Sequence, residues 1–175
     1  MKESRAPTMG TSEGSTMRTS SLQHKPRLKR LDRVFSDRPL YFATVCVEGR
    51  RAVLTNQLVF EAFQEFCFAG LERGFFVGRF VLMPDHLHLF VAVPRDIPHA
   101  LSAWMKALKR SLTRVLDEIG ASSLHWQKGF FDHVMRSGES YSEKWNYVRN
   151  NPVRAGLVSE AEVWPFQGEI CELRF

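Results

Sequence analysis

The stretch "FFVGRFVLMPDHLHLFVAV", residues 75 to 93, constrains the fold more than any other part of the chain. It holds two runs of β-branched and aromatic residues around one Pro84-Asp85 break. It therefore reads as two neighbouring antiparallel strands or one long bent strand. Successive side chains of a strand point to opposite faces. Leu87, Leu89 and Val91 share one face, and His86 and His88 stand side by side on the other. Two imidazoles held in parallel on a rigid strand can make two legs of a metal site. The pattern also fits two polar residues on the wetter side of a half-buried strand, and the strand alone does not choose.

Upstream, "LYFATVCV" (40 to 47) has strand content and "EGRR" turns the chain. "NQLVFEAFQEFCFAGLERG" predicts a helix from an Asn56 N-cap to a stop at Gly74, with Val59, Phe63, Phe66 and Gly70 or Leu71 near helical spacing. Downstream, a second helix is expected over about residues 98 to 119, opened by Pro98 and ended by Gly120. Leu101, Trp104, Leu108, Leu112 and Val115 form its apolar stripe, and Lys106, Arg110 and Arg114 a separate basic row. "WQKGFFDHVMR" predicts a final strand. "SYSEKWNYVRNNP" predicts a short helix capped by Ser140, with Pro152 discouraging continuation. Strand, helix, strand, strand, helix, strand is the order of a ferredoxin-like α+β sandwich, an antiparallel sheet with two helices on one face. The leucines suit the covered face, and the histidines look out of the open one.

Charge divides the chain. Residues 1 to 38 carry nine Lys and Arg against four Asp and Glu, whereas residues 39 to 175 carry fifteen of each. Two regions are expected: a basic, disordered leader over 1-35, and one folded domain over 36-175. The cluster "HKPRLKRLDR" suggests a polyanionic partner, nucleic acid first, with a solvated tail as the alternative. No apolar stretch reaches the length of a membrane span, and the N-terminus lacks the apolar region of a secretory signal. Cys46, Cys67 and Cys171 are scattered, forming neither a disulfide framework nor a C-x-x-C pair. A cytoplasmic protein with no membrane partner is the expectation.

A metal site needs a further donor. In "WNYVRNNPVRAGLV", Tyr147 and Asn151 are four apart, hence on one face of a predicted helix. Asn151 can offer a carboxamide oxygen, and Tyr147 would bring its phenol close to the same ion. A tyrosine packed on the core and an asparagine closing the helix is the plainer alternative. Tyr141 lacks a ligating partner, since Trp145 stands four residues on. Asp85 has the parity of Leu87; it reads first as a turn residue after Pro84, second as a support behind the histidines. Lys144 could steady phosphate or tyrosine, but reads first as a solvated surface lysine.

Taken together, "VLMPDHLHLFV", "WQKGFFDHVMR" and "YVRNNPVRAGLV", in this order, resemble the HUH-type single-tyrosine transposases, and within them the REP-associated branch. The resemblance spans roughly residues 36 to 167. Asn151 followed by Pro-Val and Ala-Gly-Leu-Val points to that branch, because transposases of classical insertion sequences tend to have Gln at this position. The resemblance implies His86, His88 and Asn151 as metal ligands and Tyr147 as the nucleophile, on a helix over the open face of the sheet.

It implies cleavage and rejoining of single-stranded DNA hairpins through a 5′-phosphotyrosine, covalent catalysis that splits one hard displacement into two. A phenol, with a reference pKa of about 10, needs help to attack at neutral pH. Two imidazoles and a carboxamide suit Mg²⁺ or Mn²⁺ better than a closed zinc site. Lys106, Arg110, Arg114 and Lys128 are candidate phosphate contacts. Exposed rings among Trp126, Phe130, Phe131 and Trp145 are candidate stacking platforms, Trp126 first. Two rivals stand beside this expectation: a non-catalytic hairpin-binding regulator on the same fold, and a metallohydrolase using activated water. Monomer or homodimer is left open.

Overall fold

The structure is a computed structural model that describes residues 38–121 and 126–174. The leader expected over 1–35 lies outside the described residues. The elements run β1 (Leu40–Cys46), α1 (Gln57–Leu71), β2 (Phe76–Leu82), β3 (His86–Ala92), α2 (Ala100–Glu118), β4 (Phe131–Met135), α3 (Gly138–Arg149), α4 (Asn151–Arg154) and β5 (Gln167–Glu169). The five strands form one antiparallel sheet in the order β4-β1-β3-β2-β5. Its first four strands have the expected ferredoxin-like order.

The Pro84-Asp85 break resolves into a tight connection between two antiparallel strands, not a bend in one strand. Leu87, Leu89 and Val91 pack with Ala43 and Val45 of β1 beneath Val59, Phe63 and Cys67 of α1 and Trp104, Leu108 and Leu112 of α2. That layer is the main core, and it lies on the face away from the histidines. Asn56 caps α1 by accepting a hydrogen bond from the Leu58 amide. Gly74 and Gly120 end α1 and α2 with positive φ, which glycine adopts without a Cβ clash.

Three expectations change. Ser137, not Ser140, is the N-cap of α3; Ser140 sits at the third helical position and completes the capping box. The predicted final strand is β4, but β5 follows it and pairs with β2. Its three residues, Gln-Gly-Glu, carry no apolar alternation, so only backbone pairing defines it. Beyond β5 the chain passes over β2 so closely that a Cβ on Gly78 would lie 2.5 Å from the Leu173 Cδ1 atom. The third change concerns α3, which stops at Arg149. Asn150 leaves the helical path, and a separate turn, α4, begins at Asn151 with Pro152 near its start.

Candidate active site

The face of the sheet opposite α1 and α2 is covered by α3. Tyr141 packs on Phe90 with ring centroids 4.4 Å apart. Val148 joins Val81, Met83 and Trp164, with Trp145 against the same cluster. Residues 141, 145 and 148 are thus the inward stripe of α3. Tyr141 is a core residue. Tyr147 falls off that stripe and is 62% exposed.

His86 and His88 stand on this same face with ring centroids 4.7 Å apart and planes nearly perpendicular. Each ring is oriented through Nδ1. The Thr44 hydroxyl lies 2.7 Å from Nδ1 of His88, and an Asp85 carboxylate oxygen 2.6 Å from Nδ1 of His86. The other oxygen of Asp85 pairs with Arg50 Nε at 2.6 Å. Asp85 is therefore both the turn residue and the support of His86, the lesser of the two readings offered for it. The left-handed Gly49-Arg50 backbone brings Arg50 there, and Val47, Val53 and Leu54 fasten the loop to the turn by amide hydrogen bonds to the Pro84 and Asp85 carbonyls. With both Nδ1 atoms engaged, the Nε2 atoms are the ones that can take a cation, the usual arrangement of supported histidine ligands.

Electrostatics agree with a ligand role. Burial, partly countered by Asp85, lowers the pKa of His86. Burial, then His86, Arg154, Arg50 and Lys144, pushes His88 down to about 3. Both rings are accordingly neutral at neutral pH, the form that binds metal. Among the described residues, no three His, Cys, Asp or Glu side chains cluster as a metal site. A cation here would be held by two imidazoles and by oxygens of other kinds, and that donor set fits Mg²⁺ or Mn²⁺.

Tyr147 and Asn151 are not stacked on one continuous helix, because the chain leaves the helix between them. Arg154 joins them instead. Its guanidinium lies 4.1 Å from the centroid of the Tyr147 ring and donates to the Asn151 Oδ1 atom. The same Arg154 charge helps to lower the pKa of His88, so one guanidinium links the phenol and the carboxamide electrostatically to the imidazole. Lys144 is half-buried, its Nζ 5.4 Å from the centroid of Phe42, and Phe42 stacks on His88. It is not a free surface lysine. Arg50, Lys144 and Arg154 all act to lower the pKa of His88, a local positive charge suited to phosphate.

The other candidate DNA contacts do not join this neighbourhood. Lys106, Arg110 and Arg114 are exposed on α2, across the sheet from the histidines. Lys128 is exposed in the segment that Lys109 fastens to α2 by donating to the Gln127 and Gly129 carbonyls. Trp126 is partly buried against the core, and its indole donates to the Thr113 hydroxyl at 3.0 Å. Sequence reasoning missed Thr44, Arg50 and Arg154. Thr44 alone left a signal, as a hydroxyl between apolar neighbours on an alternating strand.

Comparison with known proteins places these residues in context. A family model described as "Transposase IS200 like" matches residues 39–151. A REP-associated tyrosine transposase of Escherichia coli (strain K12) is 28% identical over 130 residues, covering 72% of this chain and 73% of the relative. A Haemophilus influenzae protein provisionally named for the same group is 25% identical over 146 residues, with 77% and 81% covered. A solved structure of a REP-associated tyrosine transposase bound to a REP hairpin superposes with a TM-score of 0.61 at 24% identity, covering 77% of this chain and 79% of the other. The likeness in fold is therefore direct.

Proposed function

Because the chain belongs to the IS200-like transposase family, we propose that it cuts and rejoins single-stranded DNA beside hairpins, with Tyr147 as the nucleophile. What supports the proposal is an exposed phenol that shares the Arg154 guanidinium with Asn151, and a pair of imidazoles of which His88 feels that same charge. His86, His88 and Asn151 would hold the metal. Asn151 Oδ1 keeps a second lone pair beside the one that accepts from Arg154. A bound Mg²⁺ or Mn²⁺ supplies polarisation of the phosphoryl oxygens.

The chain's own residues do the rest. Lys144 and Arg154 would hold the phosphate against Tyr147. The phenol oxygen attacks phosphorus, an ester bond to Tyr147 forms, and the bond to the 3′ oxygen breaks. The phenol proton is lost and the leaving oxygen gains one, so the step balances without a nucleotide energy source. The product is a 5′-phosphotyrosine and a free 3′-hydroxyl, which can reverse the step with the same or another strand. Asp85 and Thr44 keep the imidazoles oriented throughout.

The REP hairpin of the solved relative suggests the partner: a palindromic DNA hairpin with an unpaired arm. Incubation with labelled hairpin DNA and Mn²⁺, followed by a denaturing protein gel, tests the proposal. A labelled protein band is expected for the native chain and no band for Tyr147→Phe. A band that persists in that variant overturns the assignment. Cleavage with no band favours water as nucleophile, and tight binding without cleavage favours a regulator.

A further inference from the structure

The histidine face continues across β1 to the edge strand β4. Residues directly opposite one another in an antiparallel pair point to the same face. Thr44 is opposite His88 on one side and Phe131 on the other. Its hydroxyl at His88 fixes which face that is. Phe131 therefore stands on the histidine face two strands from His88, about 10 Å at the usual strand spacing. Met135, of the same parity, confirms the orientation by joining the Tyr141 and Phe90 cluster on that face.

The Phe131 ring is 72% exposed, more than any other large apolar side chain among the described residues. Its surroundings are polar. His133, two residues along β4, lies opposite Phe42, over which Lys144 sits. The next exposed apolar residue of the strand, Val134, has the opposite parity and faces the other way. Among the described residues, no other exposed large apolar side chain of β4 shares the face of Phe131, so the strand offers no continuous apolar patch for a protein partner to bury. A lone flat ring beside hydroxyl, imidazole and ammonium groups matches an unpaired base with its phosphate. The competing rings are less available: Trp126 donates to Thr113, Phe130 packs on the core and Trp145 is covered by Arg79.

We propose that Phe131 is the stacking platform for an unpaired base beside the phosphodiester held at His86 and His88. This rests on the strand-cleavage reading for what lies at the histidines, but stacking is scored apart from cleavage. The probe is a DNA hairpin with unpaired arms that the native protein binds, carrying 2-aminopurine at successive positions of one arm. Binding is expected to quench fluorescence at one position through stacking.

Phe131→Leu, which keeps the bulk of an exposed strand residue, is expected to remove the quench and weaken binding about 5- to 150-fold. Phe131→Trp is expected to restore both. A quench unchanged in Phe131→Leu overturns the proposal. So does a native dimer that Phe131→Leu converts to monomer in sedimentation, because the ring then meets a second copy. A Phe131-dependent quench with no covalent adduct supports stacking while removing the cleavage reading.

Discussion

The two faces of one sheet answer to different physics. Facing α1 and α2, Leu87, Leu89, Val45 and Phe80 are fully buried among apolar neighbours, and their role is exhausted by exclusion of water. One residue along the same strand, His86 and His88 lie under only partial cover, each tied by one nitrogen to an oxygen of the protein. The dry face gives the strand its rigidity. That rigidity lets the other face hold two imidazoles at a set separation. Because strand alternation alone separates the roles, substitutions one residue apart are expected to fail in different ways.

The largest expected effect is on the dry face. Leu87→Ala leaves a cavity at a fully buried position, and urea unfolding should show a loss of about 2–5 kcal/mol. Hairpin cleavage per folded molecule should stay near native. On the other face, His88→Ala should show the opposite pattern. For the native chain, Mn²⁺ at about 100 times its dissociation constant should raise stability by about 2.7 kcal/mol, an increment EDTA removes and the variant never shows. A full Mn²⁺ increment in His88→Ala would break the comparison.

Asp85→Asn sharpens it further. The amide keeps the turn and a hydrogen bond but removes the charge behind His86, so Mn²⁺ affinity by calorimetry should fall about 10- to 100-fold with folding little changed. Taken per pH unit, the smallest effect is in pH. His88 binds its proton only near pH 3 when folded, against 6.5 for the free side chain. Between those values the unfolded chain takes a proton that the folded one refuses. The stability of the metal-free protein therefore holds above 6.5 and falls as pH drops toward 3. His88 contributes at most about 1.4 kcal/mol per pH unit to that slope. Denaturant titrations of native and His88→Gln protein should differ by this slope.

The sequence carried the frame of this site better than its fastenings. Alternation in "HLHLFVAV" places both histidines on the open face, and helical spacing identifies most of the stripes of α1 and α2, with Cys67 and Leu116 buried beside the partly buried Phe66 and Val115, because both signals are local periodicities. The partners of the histidines were not legible. Thr44 reaches His88 through pairing of strands forty-four residues apart, and Arg50 reaches Asp85 from a left-handed turn. The i, i+4 argument for Tyr147 and Asn151 assumed a continuous helix, and the break at Asn150 removes that premise. Arg154 supplies the connection from outside the counted interval. Trp126, the first candidate stacking ring, is fastened to α2, while Phe131 in the same motif is the ring left open.

Digesting the DNA-linked protein and sequencing the modified peptide by mass spectrometry bears most directly on the role of the open face. A nucleotide carried through its 5′-phosphate on Tyr147 is the predicted result. The same mass on any other side chain, or cleaved DNA with every peptide unmodified, would contradict it.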